Sequence, residues 1–228
     1  MTEPTTATTI TGSPLARADI EALLDAPRHL VDCDLEGADL TGLDLTGWSF
    51  ERCALRRTDF ARARLERTSW QSCRSAFAEF TASDLGEARL VACDFNNAAF
   101  RRATLDGARF VRCKLTGADL SEARAIDLAF EETLLINARL SGHSFRKARL
   151  ERIDFSQADL AKCDFRHASF HGCSLRDAVV DGARFDGADL RGADLGGLKL
   201  ADARLFRGAT ISPEQAGQLL GELGLNVH

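Results

Sequence analysis

The sequence predicts a single elongated solenoid of five-residue units, and three regularities carry that reading. Apolar residues recur at every fifth position from Leu30 to Leu205 with no break in phase. From Leu35 onward they fill 34 of 35 such positions, with 19 Leu, 12 Phe, Trp70, Ala125 and Val180, and Ser75 as the polar member. A second inward position lies two residues earlier and holds 18 Ala, all seven Cys and ten others, among them Leu43, Trp48, His143 and Ile153. The cysteines add a longer period, since Cys33, Cys53, Cys73, Cys93, Cys113 and Cys173 share one column whose step is always a whole multiple of four such units. A helix repeats near 3.6 residues and a strand at 2, so neither explains a strict five. A short fixed period describes stacked units, each of which buries its apolar face only against its neighbours.

The elements follow in chain order. Residues 1–12 read as a flexible N-terminus. Residues 13–29 read as a capping helix, with Ser13 as N-cap, Pro14 at the first helical position, Ile20, Leu23 and Leu24 on one face, and Pro27 as the stop. Residues 30–208 are the repeat. A narrow interior admits only a small residue beside each large one, which explains the pairing of Ala or Cys with Leu or Phe. Eleven of the 18 Gly fall two residues after the large position and mark corners. Residues 209–228 leave the repeat. Ser212-Pro213-Glu214-Gln215 reads as a capping box, Ala216, Leu219, Leu220 and Leu223 form a stripe ending at Gly224, and Leu225 and Val227 alternate like a short strand. Solenoid ends need such caps, because the last coil exposes apolar side chains and strand edges.

Composition narrows the class without supplying chemistry. With 34 acidic and 29 basic residues the net charge is −5, too small to point to a partner by itself. The distribution is uneven: Arg89 to Arg149 carries 11 basic and 7 acidic residues, a mildly basic middle between acidic ends. No apolar run is long enough for a membrane span, and Met1 to Thr11 lacks signal-peptide regions, so a soluble cytoplasmic protein is expected. No nucleophile elbow, phosphate-binding loop, zincin or paired-carboxylate motif stands out, and regular solenoid walls are poor places for a reaction pocket. No enzymatic activity, cofactor or metal is therefore expected. The cysteines read as small buried residues of a reducing compartment. His167, His171 and Cys173 would converge on a helix, but in the five-residue phase both histidines point outward and Cys173 inward. His143 reads as a hydrogen-bonded core histidine.

The purest units, Ala38-Asp39-Leu40, Ala118-Asp119-Leu120, Ala158-Asp159-Leu160, Ala188-Asp189-Leu190 and Ala193-Asp194-Leu195, resemble the pentapeptide-repeat family over about four fifths of the chain. The resemblance implies an all-β fold, a right-handed quadrilateral β-helix in which four pentapeptides make one square coil, here with short capping helices at both ends. The cysteine spacing agrees with four units per coil.

The C-terminal segment is similar to the tail of the Qnr-type quinolone-resistance proteins and of related immunity proteins against gyrase-poisoning peptides. That resemblance implies a homodimer joined through the tail, here Ala216, Leu219, Leu220, Leu223, Leu225 and Val227. It also implies a DNA-mimicking surface that binds DNA gyrase or topoisomerase IV and protects it from quinolones or peptide toxins, with no direct nucleic-acid or membrane contact. The matching surface would be the row Asp39, Asp59, Glu79, Asp119 and Asp159, which Ala99 interrupts and Arg139 reverses in sign. The same aspartates also suit a solvated turn, and a general interaction scaffold with another partner is the alternative. Unbroken phase places the chain with the loop-free members of that group.

Overall fold

The computed structural model describes residues 8–198, 203–222 and 224–226. They form two compact units, residues up to 114 together with 123–129, and residues 115–122 together with 130 onward. Both are built as the same parallel β-helix with four pentapeptide faces to a coil.

In the first unit, parallel strands β1 (Thr8–Thr11), β2 (Arg28–Val31), β3 (Ser49–Glu51), β4 (Ser69–Gln71), β5 (Arg89–Val91) and β6 (Arg109–Val111) pair in sequence order along one face. Leu30 lies opposite Phe50, and Phe50 opposite Trp70, so each coil sets the register of the next at a constant offset of four pentapeptides. The other three faces are held by single parallel bridges such as Asp34↔Ala54, Asp39↔Asp59 and Asp44↔Arg64. In the second unit Glu131 of β7 (Ala129–Glu131) pairs with β8 (Arg149–Glu151), and β8 with β9 (Ser169–His171), again parallel and in sequence order.

Within a unit the ladder assigns fixed acceptors to the backbone donors, as a buried chain requires. The large inward residue donates to the coil that follows (Leu40 N to Asp59 O, 2.8 Å), and the residue before it donates to the coil that precedes (Asp59 N to Ala38 O, 2.9 Å). The small inward residue closes the corner onto its own coil (Ala38 N to Leu35 O, 3.0 Å). That closure demands a left-handed residue between them. Every corner residue from Asp32 to Gly197 has positive φ, 23 of them non-glycine against 11 glycines. Glycine therefore marks only the unstrained third of the corners, while Arg, Asp, Asn and others occupy αL in the rest, against its steric cost.

The interior is two columns of inward residues per face. In the first unit Phe60, Phe80 and Phe100 stack coil on coil, with ring centroids 5.1 and 4.7 Å apart and interplanar angles of 6° and 2°. The second unit has its own stack of Phe145, Phe165, Phe185 and Phe206. Ser75, where a Leu or Phe is expected, is fully buried with its hydroxyl unpartnered, and Trp70, the large inward residue of the preceding unit, donates its indole N–H to Thr68 Oγ1 at 2.9 Å. Ala125 is the weakest inward residue: it stays half-exposed with Ala123 and Leu128, and the adjoining Ile126 is 60% exposed.

The ends depart from the sequence expectations. Residues 8–11 are strand β1, paired to β2, and so lie outside any flexible N-terminus. The helix expected over 13–29 shrinks to α1 (Arg17–Glu21), with Ala16 as N-cap; Pro14 bridges Asp34 and Leu15 N donates to Asp34 O at 2.8 Å. The reason is phase. Ile10 and Leu15 continue the five-residue register, and stacking them over Leu30 and Leu35 outweighs local helix signals there, while Ile20 is buried from within α1. At the other end the phase does slip, by a single position. Phe165 N reaches Arg184 O, and the same step from Phe185 would end at Arg204, but Phe185 N reaches Leu205 O instead. A 3₁₀ turn, η1 (Ala203–Phe206), already lies in the shifted register. Phe206 thus stacks on Phe185 at 4.7 Å where Leu205 was expected, and the left-handed corner moves to Gly208. The chain closes with α2 (Pro213–Glu222).

Candidate partner-binding face

The position before the large inward residue carries the expected acidic row, and the turn chemistry explains why aspartate recurs there. Two residues later a backbone N–H has no ladder partner on the bridge-only faces. Aspartate supplies one: Asp39 Oδ1 accepts from Thr41 N at 2.9 Å, Asp59 from Ala61 N at 2.8 Å, Asp119 from Ser121 N at 2.9 Å and Asp159 from Ala161 N at 3.0 Å. Asp34, Asp44, Asp84, Asp94, Asp154, Asp164 and Asp194 do the same on other faces. This is the Asx turn. Where β2 to β9 run as short strands, the corresponding residues are His29, Ser49, Ser69, Arg89, Arg109, Ala129, Arg149 and Ser169, with no aspartate. Asp189 appears once that ladder ends.

The first unit aligns Asp39, Asp59 and Glu79 along one face, followed by Ala99. The second places Asp119 and Asp159 on either side of Arg139. Two members are partly neutralised. Arg17 of α1 reaches Asp39 Oδ1 at 3.2 Å and also the carbonyls of Asp39 and Thr41, and Arg139 pairs with Asp119 at 3.5 Å. The Asp39 carboxyl is held below its ordinary range by the Thr41 hydroxyl and backbone, with Arg17 adding to the effect. Asp189, off this row, is lowered to about 2 by its hydrogen bonds from Arg191. The lowering leaves Asp39 and Asp189 ionised throughout the neutral range.

The small inward position also serves the backbone. The thiols of Cys53, Cys113 and Cys163 donate to Leu30 O, Leu90 O and Leu140 O of the preceding coil at 3.1–3.4 Å. Thr58 Oγ1 donates to Leu35 O at 2.7 Å. Burial pushes the Cys163 thiol up to about 12, which keeps it protonated and unreactive. His167 and His171 are exposed while Cys173 is buried, so that trio does not converge.

His143 sits in the same kind of position, 6% exposed, with Nε2 2.9 Å from Leu120 O. A carbonyl can only accept, so Nε2 carries the proton, and burial lowers the ring's pKa. The neutral ring is the one that folds. As pH falls below about 6.5 the unfolded chain binds a proton that the folded chain refuses, and stability is lost down to the depressed folded pKa. Wild type should therefore lose stability through this window up to about 1.4 kcal/mol per pH unit faster than His143→Gln. Thermal melts from pH 8 to 5 check this, and parallel curves for the two proteins would contradict it.

The C-terminal residues separate into two roles. Gln215 Oε1 accepts from Ser212 N at 2.7 Å and Ser212 Oγ accepts from Gln215 N at 3.3 Å, completing the capping box. The same Gln215 amide donates to Leu190 O and Ala193 O, both at 2.7 Å, and so closes the open end of the last coil. The capping-box motif signalled the helix but not this second duty. Leu219 is buried in the cap and Ala216 half-buried, whereas Leu220 and Leu225 are 39% and 56% exposed. Leu225 is not in a strand: its N–H returns to Leu220 O after the left-handed Gly224. Leu223 and Val227 lie outside the described residues.

Among the described residues no helix is long and apolar enough to cross a membrane. No curated protein sequence matches this chain. In structure it is similar to full-length QnrB1, a plasmid-mediated fluoroquinolone resistance protein, with a TM-score of 0.62 and 21% identity over 96% of this chain and 98% of that one. A trypsin-treated variant of QnrB1 matches with a TM-score of 0.59 and 21% identity over 97% and 98% of the two chains. The sequence itself matches the family described as pentapeptide repeats, in eight copies over residues 29–69, 78–117, 113–152, 138–177, 148–186 and 168–205. With its five-residue phase, its left-handed corners and this match over most of its length, the chain belongs to the pentapeptide-repeat family.

Proposed function

We propose that this protein binds a type II topoisomerase, DNA gyrase or topoisomerase IV, and protects it from poisons such as quinolones or peptide toxins. The observation that carries the reading is the end-to-end correspondence with QnrB1, in which 98% of that protein's chain is matched. The tail adds support: once α2 has capped the coil with Gln215 and Leu219, Leu220 and Leu225 remain exposed and suit a two-fold interface with a second copy, together with Leu223 and Val227. The acidic row would face the positively charged DNA-binding saddle of the enzyme. Asp59, Glu79 and Asp159 are its main contributors, because Arg17 and Arg139 offset Asp39 and Asp119.

A gyrase supercoiling and cleavage assay with and without a quinolone tests the proposal. Added protein should restore supercoiling in the presence of the poison. Asp159→Lys should weaken binding by about tenfold, and more at low salt, since exposed charges are screened beyond about 8 Å at physiological ionic strength. Asp159→Asn, which retains an oxygen for the Ala161 N–H, separates loss of charge from loss of the turn. If neither gyrase nor topoisomerase IV is bound or protected from any poison tried, a scaffold function with another partner replaces this reading.

A further inference from the structure

Phe77 breaks two rules at once. It is 44% exposed, and it occupies a left-handed corner with φ 61. Of the 23 non-glycine residues in that conformation it is the one carbocyclic aromatic, and a bulky side chain is costly there. The guanidinium carbons of Arg56 and Arg57 each lie 5.7 Å from its ring centroid. Arg74 stands on the same face, in register with Ala54 and Asp94. From Arg52 to Arg74 the chain carries seven arginines against Asp59 and Glu66. Their neighbours are consumed internally, Arg52 by Asp32 and Glu51 and Arg64 by Asp44 and Glu66. Arg56, Arg57 and Arg74 have no ion-pair partner among the described residues. Ala54 and Ala76, both half-buried, leave a low floor between them.

We propose that this face is a docking surface for a protein segment that presents an apolar side chain flanked by carboxylates. Such a segment would lay its apolar group on Phe77 and Ala76 and its carboxylates on Arg56, Arg57 and Arg74. An exposed aromatic with converging arginines is the composition of an interface anchor, and charge complementarity sets the partner's sign. The extent of the patch selects protein over nucleic acid. Asp34 and Asp94 bound it through the bridges Asp34↔Ala54 and Arg74↔Asp94, so the cationic surface spans only a few coils about 4.8 Å apart. A polyanionic backbone would run onto those carboxylates, whereas a short acidic segment ends before them. The inference does not depend on topoisomerase binding.

Fluorescence anisotropy tests it with three labelled probes: the hexapeptide Glu-Asp-Leu-Phe-Glu-Asp, its Gln/Asn counterpart, and a short oligothymidylate. The acidic peptide should bind saturably and the neutral one weakly. Phe77→Asn keeps a residue tolerant of the left-handed corner, as Asn97 does one coil on, and should weaken binding about tenfold; Arg56→Ala combined with Arg57→Ala should do the same. Arg62→Ala with Arg67→Ala, on other faces, should leave it unchanged. Melting curves establish that each variant is folded. No binding by the acidic peptide, equal binding by all variants, or tighter binding of the oligonucleotide than of the peptide would each overturn the proposal.

Discussion

Phe80→Ala should be the most destabilising single substitution tested, costing about 3–5 kcal/mol. Phe80 is fully buried and lies between two parallel rings, Phe60 at 5.1 Å and Phe100 at 4.7 Å, with Trp70 and Phe95 edge-on at 5.9 Å. Truncation removes contacts on all four sides. The cavity cannot collapse, because the backbone ladder fixes the spacing of the coils above and below. Denaturant titration reads the loss. Phe80→Leu, which restores the residue most common in these columns, should recover more than half of it. A cost under about 1 kcal/mol for the alanine variant would mean that the columns do not carry the fold.

Gln215→Ala should open the C-terminal end. Its amide is the donor for Leu190 O and Ala193 O and its carbonyl the acceptor for Ser212 N, all at 2.7 Å in a site that is 8% exposed. Each buried group left without a partner costs roughly 1–3 kcal/mol, offset where water enters. Amide hydrogen exchange should show faster opening of the coil around Leu190 and Ala193, with the Phe60 to Phe100 region unchanged. Gln215→Glu separates geometry from chemistry, since it keeps the acceptor for Ser212 N but turns repulsive toward the two carbonyls at neutral pH. It should resemble alanine. Wild-type exchange in the alanine variant would reduce Gln215 to an ordinary helix-capping residue.

How far the sequence could be read follows from where the period holds. The inward residues, the four units per coil and the capping box at Ser212 to Gln215 were all legible, because burial in a narrow tube admits only one spacing and one pair of sizes. The same logic reaches further toward the N-terminus than the helix signals allowed. Ile10 and Leu15 keep the phase, yet Pro14 and Pro27 argued for a helix, and stacking onto the next coil overrode them. At Leu205 the reverse occurred: the period read on, but Phe206, in the 3₁₀ turn Ala203–Phe206, takes the place in the column instead. A slip of one position beside two apolar neighbours leaves no trace in a count of every fifth position.

The acidic row was visible as spacing, but its meaning was not. That Asp59 and Asp159 first complete a turn is decided by the local backbone, and that Arg17 and Arg139 offset Asp39 and Asp119 depends on residues from successive coils meeting across a face. The arginines around Phe77 were likewise present in the chain as a basic run, and only the register showed which were already paired. The sequence alone thus determined the repeat, the inward and outward sides, and the family they resemble, because these follow from local periodicity and the cost of burying polar groups. The tertiary structure decided the ends, the partners of each charge, and which apolar side chains of the tail were spent on the cap. Those outcomes depend on which distant residues the stacked backbone ladder brings within bonding distance.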